Sequence, residues 1–419
     1  MTRGSLRVVA LADTDSYVKW SAALLGALPA GTDARLLIVE TALVVSPAQQ
    51  TSALARSGLD ASHVRRVEYD ELGRVLGDLA PDAVLVAARG PVVRVLTALV
   101  ATLEPRPVIV SGLPGISIPA TTAAMVHRTQ CDLFVLHSTR EIAAFSALAR
   151  QRGLTQRFAL AGLPFARAAP SERPPGLRTD LVFASQAIVP REREDRLRVA
   201  RLLIETAREN PDRRVVVKER ALAGEHQTHP QRYGYPDLLR RLGPWPANLV
   251  VSTDSMAQAL DAAEGLVTVS STAAIEAIAR GIPVIALDTF GVEDALINTV
   301  FVGSGLLGSE SDVVQRDFRL PPTEWLAHNY FHDPADEDWI TELVQLVELR
   351  RAGYLPPKPA RVRRGGRVRD IWERRMALGS RDRSVAGAVV FVIGVPSRAM
   401  IRPILCPYFR RAGPTPRVR

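Results

Sequence analysis

Three hydroxyl side chains, Ser270, Ser271 and Thr272, stand where the apolar run 265–269 gives way to an Ala-rich, helix-length stretch, and one acid, Glu276, follows about a turn later. A helix N-terminus offers unpaired N–H groups and roughly half an elementary positive charge, which together make an anion site. Ser271 or Thr272 is the expected N-cap, leaving the other hydroxyls and the backbone amides for phosphate oxygens. A carboxylate at 276 can accept hydrogen bonds from the vicinal hydroxyls of a ribose. Phosphate at the tip and ribose one turn further in is an arrangement of nucleotide size. Ordinary capping, with an acid in the first turns to suit the dipole, is the competing explanation of the same residues. Arg280-Gly281 and Pro283 end the helix and open the next strand.

Such a site needs strands and helices to hold it, and the chain alternates them from its start. Strand-length apolar runs occupy 6–13, 35–40, 83–88, 107–112, 133–138 and 158–162, with helix-length stretches such as 16–28, 91–104 and 140–153 between them. Continuous apolar runs predict strands buried on both faces, and the alternation predicts a parallel sheet covered by helices. The Pro-rich segment 164–176 reads as a linker. The alternation then resumes, with strands at 181–186, 214–219, 248–253, 265–271 and 283–288. The predicted fold class is therefore α/β, two tandem doubly wound, Rossmann-like domains facing a cleft. Residues 1–163 form the first, 164–176 the linker, 177–354 the second, and 355–419 a basic C-terminal tail. Ligands of such sheets bind beyond the C-terminal ends of the strands. Ser185 and Gln186 end the first strand of the second domain and are expected in the cleft.

The segment SSTAAIEAIARGIPVIA, from Ser270, resembles the donor-site segment of two-domain GT-B glycosyltransferases. It is most similar to the capsule-polysaccharide group, which includes bacterial polysialyltransferases, Kdo transferases and an actinobacterial set of glycosyltransferases. The resemblance implies that Ser270, Ser271 and Thr272 hold the donor phosphate and that Glu276 is the helix acid of that group. It also implies a Lys-ended strand followed by a His-Pro motif. Here Lys218 ends the strand, and Arg220, His226 and His229-Pro230 follow in the loop, with the His-Pro later than in the family. The same layout serves UDP-sugar 2-epimerases.

Sugar transfer with inversion needs a general base beside the acceptor hydroxyl. In this fold the acceptor side is the first domain, where Asp13 and Asp15 follow the first strand. Asp15 before Ser16 also fits a plain helix start, so Asp13 is the preferred base. Arg128 and His137, beyond and at the ends of later strands, are candidates for binding an acidic acceptor, as are His127 and the Gly/Pro-rich loop 111–121. Neither a metal cluster nor a cofactor is expected, the leaving phosphate being neutralised by side chains and helix dipoles.

Charge is unevenly spread. Residues 361–419 hold 15 Arg against Asp370, Glu373 and Asp382, a net of +12, so with +9 overall the rest of the chain carries −3. The tail has no interleaved aromatic pattern, which disfavours nucleic acid and favours an anionic membrane surface or acidic partner. The apolar run 384–396 is too short to span a bilayer but long enough to lie in its interface. Two cysteines cannot build a disulfide framework, and Met1–Ser5 lead straight into a strand pattern without a signal segment. The expected setting is the cytoplasm, with peripheral placement at the inner membrane face. The expected function is transfer from a nucleotide-sugar donor, in its sharper form a CMP-activated acidic sugar, to a cell-surface polysaccharide or its lipid-linked precursor. The alternatives are an epimerase-like isomerase and a non-catalytic membrane-surface scaffold.

Overall fold

The computed structural model describes residues 5–55, 57–167, 170–171, 173–219, 233–358 and 366–394. The first sheet is built from β1 (Arg7–Ala12), β2 (Asp33–Val39), β3 (Val64–Val67), β4 (Ala83–Ala87), β5 (Val108–Gly112), β6 (Leu133–Leu136) and β7 (Phe158–Leu160). Its order is β3-β2-β1-β4-β5-β6-β7, and every pairing is parallel. The second sheet comprises β8 (Asp180–Ala184), β9 (Val215–Lys218), β10 (Leu249–Ser252), β11 (Ala263–Thr268), β12 (Val284–Leu287) and β13 (Leu307–Gly308). Its order, β10-β9-β8-β11-β12-β13, repeats the same winding.

The apolar runs become these strands because both faces of each sheet are covered. β4, β5 and β8 are buried at all five positions. Two short strands, β3 and β13, went unrecognised in the sequence. β3 reads VRRV, with arginines at the sheet edge, and β13 is two residues long.

Each doubly wound sheet has a point where the strand order reverses and the connecting helices pass to opposite faces. Here it lies between β1 and β4 in the first sheet and between β8 and β11 in the second. A crevice opens there beyond the strand ends, and ligands of this architecture settle in it. Asp13, Thr14 and Arg89 follow β1 and β4, whereas Ser185, Gln186, Ser270 and Ser271 follow β8 and β11.

The helix Trp339–Arg351 follows the second sheet in the chain but packs on the first, against β5, β6 and β7, where Trp339, Leu343, Leu346 and Val347 join the core. Arg350 and Arg351 clamp Asp82 at 2.8 and 2.6 Å, and the Asp338 carboxylate accepts from Leu160 N–H. Within the tail, the helix Gly366–Leu378 lies against the helix Gly90–Val100, where Arg94 pairs with Glu373 at 3.5 Å. Arg381 and Arg383 pair with Glu40 and Glu68 of the first domain, each at 2.7 Å. Part of the tail's positive charge is thus matched by acids of the body. No helix of the described residues is long and apolar enough to cross a membrane.

Candidate active site

A cleft of about 740 Å³ lies between the two sheets' ligand edges. Its first-domain wall includes Thr14, Ser16, Tyr17, Arg89 and the loop 113–119, and its second-domain wall includes Thr272, Asp294 and Ile297. The walls approach closely at Gly115, where a Cβ would stand 2.9 Å from Thr272 Oγ1, so a side chain there would have to displace the Thr272 hydroxyl. Asp294 is the one carboxylate among the described residues lining the cleft.

On the second-domain side, the hydroxyl segment and the end of β8 interlock across the switch point. Gln186 Oε1 accepts from Ser270 N–H at 2.8 Å, while its amide nitrogen donates to Ser270 Oγ at 3.0 Å. Ser271 Oγ accepts from Ala273 N–H at 3.2 Å, and Ser271 N–H donates to Thr268 Oγ1 at 3.1 Å. The capping hydroxyl is therefore that of Ser271. Thr272 occupies the N-cap position with helical backbone angles and no side-chain cap bond, and its side chain lies on the cleft. Ser185 Oγ donates to Glu219 Oε2 at 2.7 Å, and Glu219 Oε1 accepts from Tyr235 N–H. Buried Lys218 donates to the Glu219 carbonyl. Glu276 is buried and receives a long, 3.5 Å contact from Arg280 Nη2, one turn on. The structure thus gathers Ser185, Gln186, Lys218, Ser270, Ser271 and Thr272 at one edge, with Glu276 set back in the helix. Arg220, His226 and His229 lie outside the described residues.

Three first-domain expectations are corrected. Asp13 is fully buried, with Oδ2 accepting from Arg89 Nε at 2.8 Å and Oδ1 from Arg89 N–H at 3.2 Å. Burial raises its pKa, and the Arg89 charge opposes that rise. A carboxylate held this way orients Arg89 and is closed to an acceptor hydroxyl, so it is not the expected base. Arg128 is buried and its guanidinium donates to Ser111 Oγ, the Gly112, Ala124 and Ala88 carbonyls and Tyr17 Oη. His137 is also buried, its Nδ1 bonded to the Ala161 carbonyl and its Nε2 accepting from Trp20 Nε1 at 2.7 Å. Burial pushes its pKa down to about 4, so the ring is neutral at pH 7. Both side chains are interior struts, not acceptor ligands, because their polar atoms are buried and bonded to the interior: Arg128 at the end of the helix Thr122–Arg128 and His137 just after β6. Asp15 is half-exposed beside Ser16 at the helix start and is not among the lining residues.

Arg89, Thr14 and Glu219 escaped the sequence reading. Arg89 stands directly after a strand-length apolar run and before Gly90-Pro91, which is the signal of a ligand-edge residue. Glu219 neighbours Lys218 at another strand end. Among the described residues no group of three or more His, Cys, Asp or Glu is placed to hold a metal ion.

Beneath the cleft loop, Glu141 joins the two halves. Its Oε1 accepts from Ser117 N–H at 2.8 Å and Tyr330 Oη at 2.7 Å, and its Oε2 from His137 N–H at 2.9 Å. Neighbouring Arg140 donates to the Val300 and Thr299 carbonyls across the same boundary. Burial pushes the Glu141 carboxyl up to about 7, and the three donors oppose that shift. Between its ordinary value of 4.5 and about 7 the native chain holds a proton that the unfolded chain lacks, so this group adds stability as pH falls through that window. The stability advantage of the native chain over Glu141→Gln is therefore expected to change in favour of Glu141 from pH 7.5 to 4.5. His137, whose depressed pKa acts in the opposite direction, is common to both proteins and cancels in the difference. Urea unfolding at several pH values reads it, and a difference independent of pH would show that Glu141 does not titrate in this window.

The fold has solved counterparts of low sequence identity. A Listeria monocytogenes structure described as a "putative UDP-N-acetylglucosamine 2-epimerase" matches with a TM-score of 0.54 and 11% identity, over 85% of this chain and 98% of that one. The S. aureus MnaA–UDP structure gives 0.53 and 12%, over 84% and 99%. The UDP-GlcNAc 2-epimerase of Methanocaldococcus jannaschii gives 0.50 and 11%, over 81% and 99%. At these identities the likeness establishes the two-domain fold. No similarity to a curated protein sequence is found. The sequence family described as "Putative glycosyltransferase (DUF6716)" matches residues 8–346, spanning both sheets and the cleft between them, and the chain belongs to that family.

Proposed function

We propose that the chain transfers a sugar from a nucleotide-activated donor to a glycan or lipid-linked acceptor of the cell envelope. The donor phosphate lies at Ser270–Thr272 and the acceptor against the first sheet's edge. The observation that carries this reading is that the edges of the two switch points face one cleft, the second sheet's hydroxyl segment reaching it through Thr272 and the first sheet's edge through Thr14 and Arg89. Family membership supports the reaction class. A CMP-activated acidic sugar, the capsule setting and action without a metal rest on the resemblance of the 270–286 segment. Thermal shift with CMP, UDP, GDP and CDP tests the donor site, since a ligand at 100 times its Kd adds about 2.7 kcal/mol. Ser271→Ala is expected to weaken nucleotide binding by about 1–2 kcal/mol, the loss of a hydrogen bond to a charged group. Equal affinities by calorimetry would remove the phosphate from this position.

A second reading, an epimerase acting on a UDP-sugar, is favoured by the fold likeness to UDP-GlcNAc 2-epimerases. Incubation with UDP-GlcNAc separates the two. A 2-epimer product supports the isomerase, and sugar transfer to an added acceptor supports the transferase.

The same reading places the enzyme at an anionic membrane surface through its tail. Residues 385–394 are helical, Trp372 stacks on Phe391, and Val385, Val389, Val392 and Ile393 form an exposed stripe amid arginines. An apolar stripe with a basic surround supplies two membrane signals, each arginine near the leaflet adding about 1 kcal/mol. The full chain is expected to co-sediment with anionic vesicles, and Val389→Asp with Val392→Asp to reduce the pelleted fraction severalfold. A full chain that stays in the supernatant at low salt is not membrane-bound by this surface.

A further inference from the structure

We infer that Arg89 and Thr14 form an oxyanion subsite on the acceptor side of the cleft, built for a carboxylate or phosphate carried by the acceptor. The assignment rests on the donor reading above for the direction of transfer, and on its own geometry for the ligand.

Thr14 is 3% exposed and lies on the cleft wall at the start of the helix Asp15–Gly26. Its hydroxyl has no partner among the described residues and makes no capping bond. Across the crevice, Arg89 is the N-cap of the helix Gly90–Val100, whose first turn also borders the cleft. Asp13 fixes the Nε side of the guanidinium, while Nη2 is buried and has no partner among the described residues. A hydroxyl and a guanidinium N–H left unpaired in the interior each cost free energy that a ligand oxygen would recover. The two helix N-termini reinforce the preference for negative charge.

The position agrees with the topology. β1 and β4 are the neighbouring strands at which the first sheet reverses, so Thr14 and Arg89 sit at its switch point. Arg89 is the one cation among the described lining residues, and the one acid, Asp294, belongs to the opposite wall. Asp13 is then a positioning residue. It holds the guanidinium at a fixed angle, much as an outer carboxylate orients a ligating group, and leaves the far edge for the anion.

The test uses the full chain saturated with whichever nucleotide stabilises it, so that the donor phosphate site is filled. Glucuronate, inorganic phosphate and glucose are titrated by calorimetry. Thr14→Val keeps the side-chain shape and breaks no existing hydrogen bond, and Arg89→Lys keeps the charge but loses the planar fork. Glucuronate or phosphate is expected to bind and glucose not, with each variant weakening the anion about tenfold or more. Ser271→Ala is expected to leave anion affinity unchanged. Binding of glucuronate alone assigns the subsite to an acidic glycan, binding of phosphate alone to a phosphorylated acceptor, and binding of both to either oxyanion. Anion binding that is equal in native chain and Thr14→Val, or no anion binding at all, overturns the subsite. A chain that binds nucleotide but no anion keeps the transferase reading and loses the subsite. A chain that binds the anion in a Thr14-dependent way without any nucleotide keeps the subsite and loses the reading.

Discussion

Arg128→Met is expected to destabilise the protein by about 3–5 kcal/mol, the range reached when a buried, multiply bonded charged group is deleted. The guanidinium is buried among Ser111, Gly112, Ala124, Ala88 and Tyr17, each of which accepts from it. Ala88 follows β4, Ser111 and Gly112 end β5, and Tyr17 lies on the helix after β1. Three separate pieces of the first ligand edge are thereby tied to one side chain. Methionine fills much of the volume but leaves those buried oxygens without their donor. Lysine would keep the charge without the fork and should recover only part of the loss. Urea unfolding measures the difference. A loss under about 1 kcal/mol would mean that the carbonyls find other donors and that Arg128 is not the strut described here.

Arg196→Met should have a comparable effect on the second domain, about 3–5 kcal/mol, for the same physical reason. Arg196 donates to the Pro190, Tyr233, Gln186 and Ala187 carbonyls at 2.6–3.0 Å and lies over the Tyr235 ring. Its position matters beyond stability. Gln186 is the residue that grips Ser270 across the second switch point, and Arg196 holds the backbone of Gln186 in place. Loosening it is therefore expected to weaken nucleotide binding along with the fold. Calorimetry at a temperature where the variant remains folded separates the two effects. Unchanged nucleotide affinity in a folded but destabilised variant would show that the 186–190 loop does not shape the donor site.

The two arginines show which part of the site was legible in the sequence. Ser270, Ser271, Thr272, Ser185 and Gln186 were recognisable because they stand at strand ends, where hydrophobic periodicity stops and polar side chains begin. That is local information. Arg128 invited a functional reading because an arginine beyond a strand in a cleft-forming domain commonly meets an anion. Its burial depends on Tyr17 and Ala88, 111 and 40 residues away in the chain, and no local pattern announces them. Asp13 was misjudged for the same reason. A carboxylate after the first strand looks available until Arg89, 76 residues on, closes over it. His137 shares the pattern, with its Trp20 partner 117 residues away.

By itself the sequence determined the two doubly wound sheets, because buried parallel strands must be continuous apolar runs and the crossover helices must lie between them. It determined the hydroxyl-bearing end of β11 and the charge split between body and tail, which are properties of composition and spacing. Tertiary structure alone decided which polar residues are free to act. Strand order puts the ends of β1 and β4 side by side, and that proximity pairs Asp13 with Arg89, 76 residues on, while leaving Thr14 and one edge of the guanidinium unsatisfied at the cleft. It also returned the helix Trp339–Arg351 to the first sheet, where Asp82 meets Arg350 and Arg351. Polar side chains are assigned by the partners that long-range packing brings within about 3 Å, a distance that spacing along a chain does not encode.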